Sequence, residues 1–140
     1  DKLCATSWQL QIEVFKAQID LAEEFEMPLI IHSVKAYNEC ELLLKGAKVP
    51  VVFHGFNKKS SILNRLVRND HFYFSFCKAV FHESSQETVL TCPIERLFLE
   101  TDNDQIAIES IYQKVAFIKG VSLQQLENQI LLNRAKVFGI

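Results

Sequence analysis

The order of apolar patterns in this chain predicts an α/β fold of parallel strands alternating with helices, and three observations carry that prediction. The apolar period switches repeatedly between the 3.6-residue repeat of an amphipathic helix and short continuous runs. Those runs are dominated by Val, Ile, Leu and Phe, as expected of strands buried on both faces. Three of them also lead into a side chain able to bind a metal. Pro28-Leu29-Ile30-Ile31 is followed by His32, Pro50-Val51-Val52-Phe53 by His54, and Leu97-Phe98-Leu99-Glu100-Thr101 by Asp102. In a parallel α/β barrel the chemistry sits at the C-terminal ends of the strands, where several strands aim side chains at one point.

The elements follow in order. Trp8, Ile12, Phe15, Ile19, Ala22 and Phe25 recur at helical spacing, which draws one apolar stripe down a helix that stops at Met27-Pro28. A strand through Ile31 comes next. The second helix carries Ala36, Cys40, Leu43 and Leu44 inward and has Gly46 near its end; the strand Val51-Val52-Phe53 then leads to His54. Ser60 and Ser61 are candidate caps for a third helix bearing Ile62, Leu63, Leu66 and Val67, since a Ser side chain accepts from free N–H groups. Asn69-Asp70 closes it before the aromatic strand Phe72-Tyr73-Phe74-Ser75-Phe76. A further helix spans about Glu83 to Leu90, and Leu97-Phe98-Leu99 is a short buried strand. Ile108, Ile111, Val115 and Ile118 trace a helix stopped by Gly120. In the last helix Ser122 and Gln125 make a capping box, Leu126 and Ile130 continue the apolar face, and Gly139 follows Phe138 at the C-terminus. Four strands separated by helices imply right-handed crossovers and a parallel sheet.

Composition sets the class. With 49% apolar residues and only 4 Gly and 3 Pro among 140 residues, the chain reads as one globular domain over residues 1–140. A formal charge of −2 gives no footprint for a protein that coats nucleic acid, so a phosphate substrate has to be met locally, by metal or a few basic side chains. No apolar stretch is long enough to span a bilayer, and Asp1-Lys2-Leu3-Cys4 lacks the layout of a signal peptide. The expected location is cytoplasmic, with no membrane partner. Cys4, Cys40, Cys77 and Cys92 are widely spaced and are expected to be four buried, reduced thiols, none of them a metal ligand.

At the level of motifs, the strings Pro28-Leu29-Ile30-Ile31-His32-Ser33, Val52-Phe53-His54-Gly55-Phe56, Arg96-Leu97-Phe98-Leu99-Glu100-Thr101-Asp102 and Asn133-Arg134-Ala135-Lys136-Val137-Phe138-Gly139 occur in that order. Together with Gln9, Phe15, Gln18, Leu21 and Ala22 in the opening helix, they resemble the TatD family of metal-dependent deoxyribonucleases. The resemblance implies a (β/α)8 barrel of the amidohydrolase superfamily, of which these four strands are the second half. The family's early H-x-H string and its later G-E-x-G-L-D string are not found here; Asp1 stands where the second would end. A complete barrel needs about 250 residues, so a fragment whose missing segment lies upstream is expected. The chain also departs from the family pattern at Val34, ahead of Lys35, where a basic residue is usual, and at Thr101-Asp102-Asn103-Asp104, where T-D-x-P is favoured.

By that resemblance His32 and His54 are metal ligands, Asp102 is both ligand and general base, and one or two divalent ions (Mg, Zn or Mn) complete the site. Such an ion lowers the pKa of water toward neutrality, and the carboxylate accepts the proton. The implied substrate is DNA or a small phosphodiester. Glu100 reads as a supporting carboxylate that shares a face with Asp102 if the strand stays regular. His71 reads as a turn residue, His82 as a loop or helix-start residue, and Lys58 and Lys59 as a solvated face beside His54 that is also within reach of phosphate. Asn133 and Phe138 are read as structural. Two other readings stay open: a non-catalytic half-barrel used for assembly or binding, and an amidohydrolase acting on an amide or ester. Either way, a half-barrel with two open edges and an exposed inner face is expected to self-associate or to pair with the missing half.

Overall fold

The computed structural model describes residues 3–140; Asp1 lies outside the described residues. Four strands, β1 (Leu29–His32), β2 (Val51–His54), β3 (Phe72–Phe76) and β4 (Leu97–Leu99), form one sheet in the order β1-β2-β3-β4 with every pair parallel. Six helices alternate with them: α1 (Trp8–Glu24), α2 (Tyr37–Leu43), α3 (Ser60–Leu66), α4 (Glu83–Thr91), α5 (Ile108–Lys119) and α6 (Leu123–Phe138). Short 3-10 turns at Lys78–Phe81 and Ile94–Arg96 flank α4.

Successive side chains along a strand point to opposite faces, and the sheet uses its two faces differently. Ile31, Val51, Phe53, Phe72, Phe74, Phe76 and Leu97 face the helices and join the main core with Leu44, Leu63, Leu66, Val89, Ile111 and Val115. Aromatic rings interlock there: Phe53 stands 5.1 Å from Phe72 and 5.6 Å from Phe74, and Phe56 stands 5.0 Å from Phe74. These separations lie in the range of favourable edge-to-face and offset contacts. The opposite face carries Ile30 and His32, Val52 and His54, Tyr73 and Ser75, then Phe98 and Glu100. Its apolar half, expected to be open, is largely covered. Val52 and Tyr73 are buried with Val137 of α6, and Phe138 meets Phe98 edge-on at 5.8 Å. Only Ile30, on the edge strand, stays 62% exposed.

The end signals act as their chemistry requires in most places. Ser7 caps α1 by accepting from Leu10 N–H, Ser122 and Gln125 form the reciprocal capping box of α6, and Gly120 and Gly139 take the left-handed conformation that ends α5 and α6. Three expectations need correction. Ser60 and Ser61 are the first two residues of α3, and Lys59 stands at its cap position without a side-chain hydrogen bond; Ser60 donates to Glu87 instead. The stripe on α1 is only partly buried, with Ile19 and Ala22 inside and Phe25 63% exposed, because α1 lies beside the edge strand. All four cysteines are free, but only Cys92 is buried; Cys40 and Cys77 are half-buried, and Cys4 is exposed in the turn before α1.

Asn133 anchors α6. Its side-chain amide donates to Ile94 O and Leu97 O, both at 2.8 Å, from a site that is 2% exposed, so the helix is fixed to the start of β4. Asn133→Leu removes both donations, leaving Ile94 O with only the Leu97 N–H as donor; a loss of about 1–2 kcal/mol in urea unfolding is expected, and a variant of unaltered midpoint would contradict the anchoring role. Thiol chemistry gives a second check. Burial pushes the Cys92 thiol up to about 12, while hydrogen bonding to Thr6 lowers that of exposed Cys4. Reaction proceeds through the thiolate. At pH 8 a disulfide reagent is therefore expected to show a fast phase that Cys4→Ser abolishes, with Cys92 reacting only after unfolding. Persistence of that phase in the variant would refute this ordering.

Candidate functional site

Parallel pairing fixes the site. His32 and His54 are register partners at the ends of β1 and β2, so both project from the same face, and their rings lie 5.6 Å apart between centroids. Beyond β4 the chain continues in register for one residue, with Glu100 N–H donating to Phe76 O at 3.0 Å. That places the Glu100 carboxylate on the histidine face, where it collects three donors. His54 Nδ1 lies 2.8 Å from Oε2, Gly55 N–H donates to Oε1 at 2.7 Å, and Ser75 Oγ donates to Oε2. Gly55 reaches this position in a left-handed conformation, φ +59°, which glycine adopts without a steric penalty.

The strand does not stay regular to Asp102. Asp102 has φ +52°, a conformation that Asp tolerates better than most residues but that still costs about 1 kcal/mol. This turn, rather than strand alternation, brings Asp102 Oδ1 to 3.7 Å from His54 Nε2. Asp102 caps no helix: α5 begins after Ala107 without any side-chain cap. Asp104, in the same turn, is bound at 2.8 Å by Lys78 from the loop after β3, and hydrogen bonding to that carboxylate raises the Lys78 pKa.

His54 thus stands between a carboxylate that fixes its Nδ1–H and a second that faces Nε2. Nε2 and Asp102 Oδ1 face each other at 3.7 Å, too far apart for a direct hydrogen bond. A nitrogen and oxygen donor set of this kind suits a divalent metal. His32 lies beside this pair. Among the described residues, no three His, Cys, Asp or Glu side chains are gathered into a complete metal-holding cluster. His71 lies at the opposite end of β3, where its N–H donates to Asn69 Oδ1 at 2.9 Å, and His82 precedes α4 without a side-chain cap bond. Lys58 lies over the Tyr37 ring, 5.5 Å from its centroid.

Ser75 and Gly55 were not singled out as site residues by sequence reasoning. The signal for Ser75 was present: one hydroxyl interrupts an otherwise aromatic strand, 3% exposed, and a buried hydroxyl needs a partner.

A parallel sheet with imidazole and carboxylate groups at the C-terminal ends of its strands is the arrangement of TIM-barrel hydrolases. The chain belongs to the TatD related DNase family, whose model matches residues 1–139. It is 27% identical to a protein named as an uncharacterized metal-dependent hydrolase, YabD, of Bacillus subtilis, over 94% of this chain and 58% of that protein. It is 26% identical to the mouse protein named putative deoxyribonuclease TATDN3, over 91% of this chain and 48% of that one. A crystal structure of an uncharacterized amidohydrolase from Saccharomyces cerevisiae superposes with a TM-score of 0.84 at 15% identity, covering 95% of this chain and 60% of that one; this likeness is one of fold. The chain therefore spans about half to three fifths of the length of the proteins it matches. No helix among the described residues is long and apolar enough to cross a membrane.

The three donors at Glu100 set an expected order of stability. Glu100→Ala leaves Gly55 N–H, Ser75 Oγ and His54 Nδ1 without their charged acceptor and is expected to cost about 2–4 kcal/mol. Asp102→Asn, which loses no cap and no close hydrogen bond and keeps a side chain that tolerates the left-handed turn, is expected to cost less than about 1 kcal/mol. Equal urea midpoints for the two variants would overturn this account.

Proposed function

We propose that the protein containing this chain is a divalent-metal-dependent hydrolase that cleaves phosphodiester bonds in DNA. His32, His54 and Asp102 would hold the ion, together with ligands from outside this chain, and Asp102 would also be the general base. The observation that carries this reading is the Glu100 hydrogen bond to His54 Nδ1, which turns the lone pair of Nε2 toward Asp102 beside a second imidazole. Ligating histidines characteristically have their other ring nitrogen held by such a partner. Support for DNA as the substrate comes from the description of the matching family model and the name of the mouse relative.

A divalent ion supplies two things to phosphodiester cleavage: positive charge on the phosphoryl oxygens and a water of lowered pKa. The protein side chains do the rest. Glu100 holds the His54 ring in one tautomer and one orientation. Asp102 Oδ1, close to that ring, accepts the proton of the attacking water, and the exposed imidazole of His32 widens the donor set toward β1. Mg, Zn and Mn are all compatible with nitrogen and oxygen ligands.

The test is cleavage of single-stranded and duplex DNA by the full-length protein with added Mg²⁺ or Mn²⁺. Activity is expected to vanish with chelator and return with metal. Asp102→Asn is expected to lower kcat by about 100-fold or more, since it removes both a ligand charge and the proton acceptor, whereas His71→Ala stays within about 2-fold. Chelator-resistant cleavage, or a fully active Asp102→Asn variant, would sink the proposal.

A further inference from the structure

We infer that Lys35, Lys58 and Lys59 form an anion-binding rim on the β1 and β2 side of this site, one that holds the phosphates flanking the cleaved bond of a polynucleotide and so favours oligonucleotides over small phosphodiesters. The inference rests on the phosphodiester reading above.

Its basis is a segregation of charge that topology creates. All four strands run parallel, so the segments that follow them emerge at the end of the sheet where His32 and His54 stand. After β1 comes Lys35, after β2 come Lys58 and Lys59, and after β3 comes Lys78; residues 33–36, 55–59 and 77–82 contain no Asp or Glu. The segment after β4 is the reverse: residues 100–107 contain Glu100, Asp102 and Asp104 and no Lys or Arg. At the other end of the sheet both signs are mixed, with Glu26, Asp70 and Glu95 among Lys45, Lys48, Arg68 and Arg96.

Pairing removes some of these charges from play. Asp104 takes Lys78, and Glu100 is committed to His54, Gly55 and Ser75. Among the described residues, Lys35, Lys58 and Lys59 have no carboxylate partner. Lys58 is nevertheless placed: its carbonyl accepts from Thr88 Oγ1 at 2.8 Å, and its ammonium sits over the buried ring of Tyr37. Tyr37 opens α2 just after Lys35, so the Lys58 ammonium reaches across to the segment after β1. An aromatic face positions a cation without neutralising it. Lys35 itself adopts φ +53°, a conformation uncommon for a non-glycine residue. The nearest carboxylates belong to the helices: Glu39 in the first turn of α2, and Glu87 of α4, which accepts from Ser60. Neither pairs with these lysines, and an excess of unpaired cations attracts an anion. A small phosphodiester has a single phosphate, which the metal site would take; a polynucleotide brings neighbouring phosphates to the rim.

The experiment compares the unaltered full-length protein with a triple variant, Lys35→Ala with Lys58→Ala and Lys59→Ala, and with its triple Lys→Arg counterpart. Binding to a fluorescent single-stranded 12-mer is measured in chelator, without metal, across a salt series. Neutralising three phosphates implies a salt slope steeper by about 2, so the Ala variant is expected to lose that slope and about 10-fold or more in affinity, and the Arg variant to keep both. Lys45→Ala with Lys48→Ala, at the far end of the sheet, is expected to change neither. With Mg²⁺, the ratio of kcat/KM for the 12-mer to that for bis(p-nitrophenyl) phosphate is expected to fall about 10-fold in the Ala variant. DNA and RNA 12-mers should weaken alike, because the shared phosphodiester is what the rim reads. Unchanged affinity and slope in the Ala variant, a loss confined to one sugar type, or failure of Arg to restore binding would each overturn the rim. A protein that cleaves neither substrate would overturn the phosphodiester reading instead, while the metal-free binding would still decide the rim.

Discussion

The Glu100 carboxylate is the constraint on which the rest of the site depends. It ties three strands at one end of the sheet, since its donors come from the end of β2, the turn after it and β3. A carboxylate that is only one-fifth exposed is costly to desolvate unless its oxygens are hydrogen-bonded. Three donors offset that cost. Each depends on a separate feature of the chain: parallel register puts His54 on the right face, a left-handed glycine turns its N–H inward, and a serine replaces an aromatic residue at one strand position. Loss of any one would leave the imidazole less well held, so the orientation of His54 is a property of the sheet and not of the histidine alone.

Rigidity behind the site comes from the other face. The rings of Phe53, Phe56, Phe72 and Phe74 pack against α2, α3 and one another, all of them 1% exposed or less. Such packing leaves little freedom for β2 and β3 to shift in register, because interiors at this density resist even methylene-sized changes. The histidine face is closed at its apolar end by Val137 and Phe138, with Asn133 pinning the helix that bears them. Polar chemistry is thereby confined to the C-terminal end of the strands.

Much of this was legible in the sequence, and the reason is local. The four strands and six helices follow from apolar period and from punctuation by Pro28, Gly120, Ser122 and Gly139, all of which act within a few residues of themselves. The juxtaposition of His32 and His54 also follows, because parallel strands that end alike must present those ends together. What was not legible depends on distant parts of the fold. The approach of Asp102 to His54 requires a left-handed turn that no spacing rule forecasts for a non-glycine residue. Ser60 was a reasonable cap by type, yet Glu87 on another helix captures its hydroxyl. Phe25 continues the stripe of α1 but is exposed, since its burial depends on what lies beyond the edge strand. Cysteine burial likewise follows from position: Cys92 lies under the helices, and Cys4 in the turn ahead of them.

Strand order also explains how a chain with a formal charge of −2 can present a polar site with two electrostatic sides. The order β1-β2-β3-β4 sets the segments after β1 and β2, which carry only lysines, apart from the segment after β4, which carries only carboxylates. Lys78 after β3 lies between them and is paired with the acidic side. His54 falls at the boundary, with Asp102 and Glu100 from one side and Lys58 in the segment that follows it on the other. A summed net charge averages over this division and cannot register it. The field at a site is set by the few charges within about a Debye length, roughly 8–10 Å at moderate ionic strength, and here topology, more than composition, decides which charges those are.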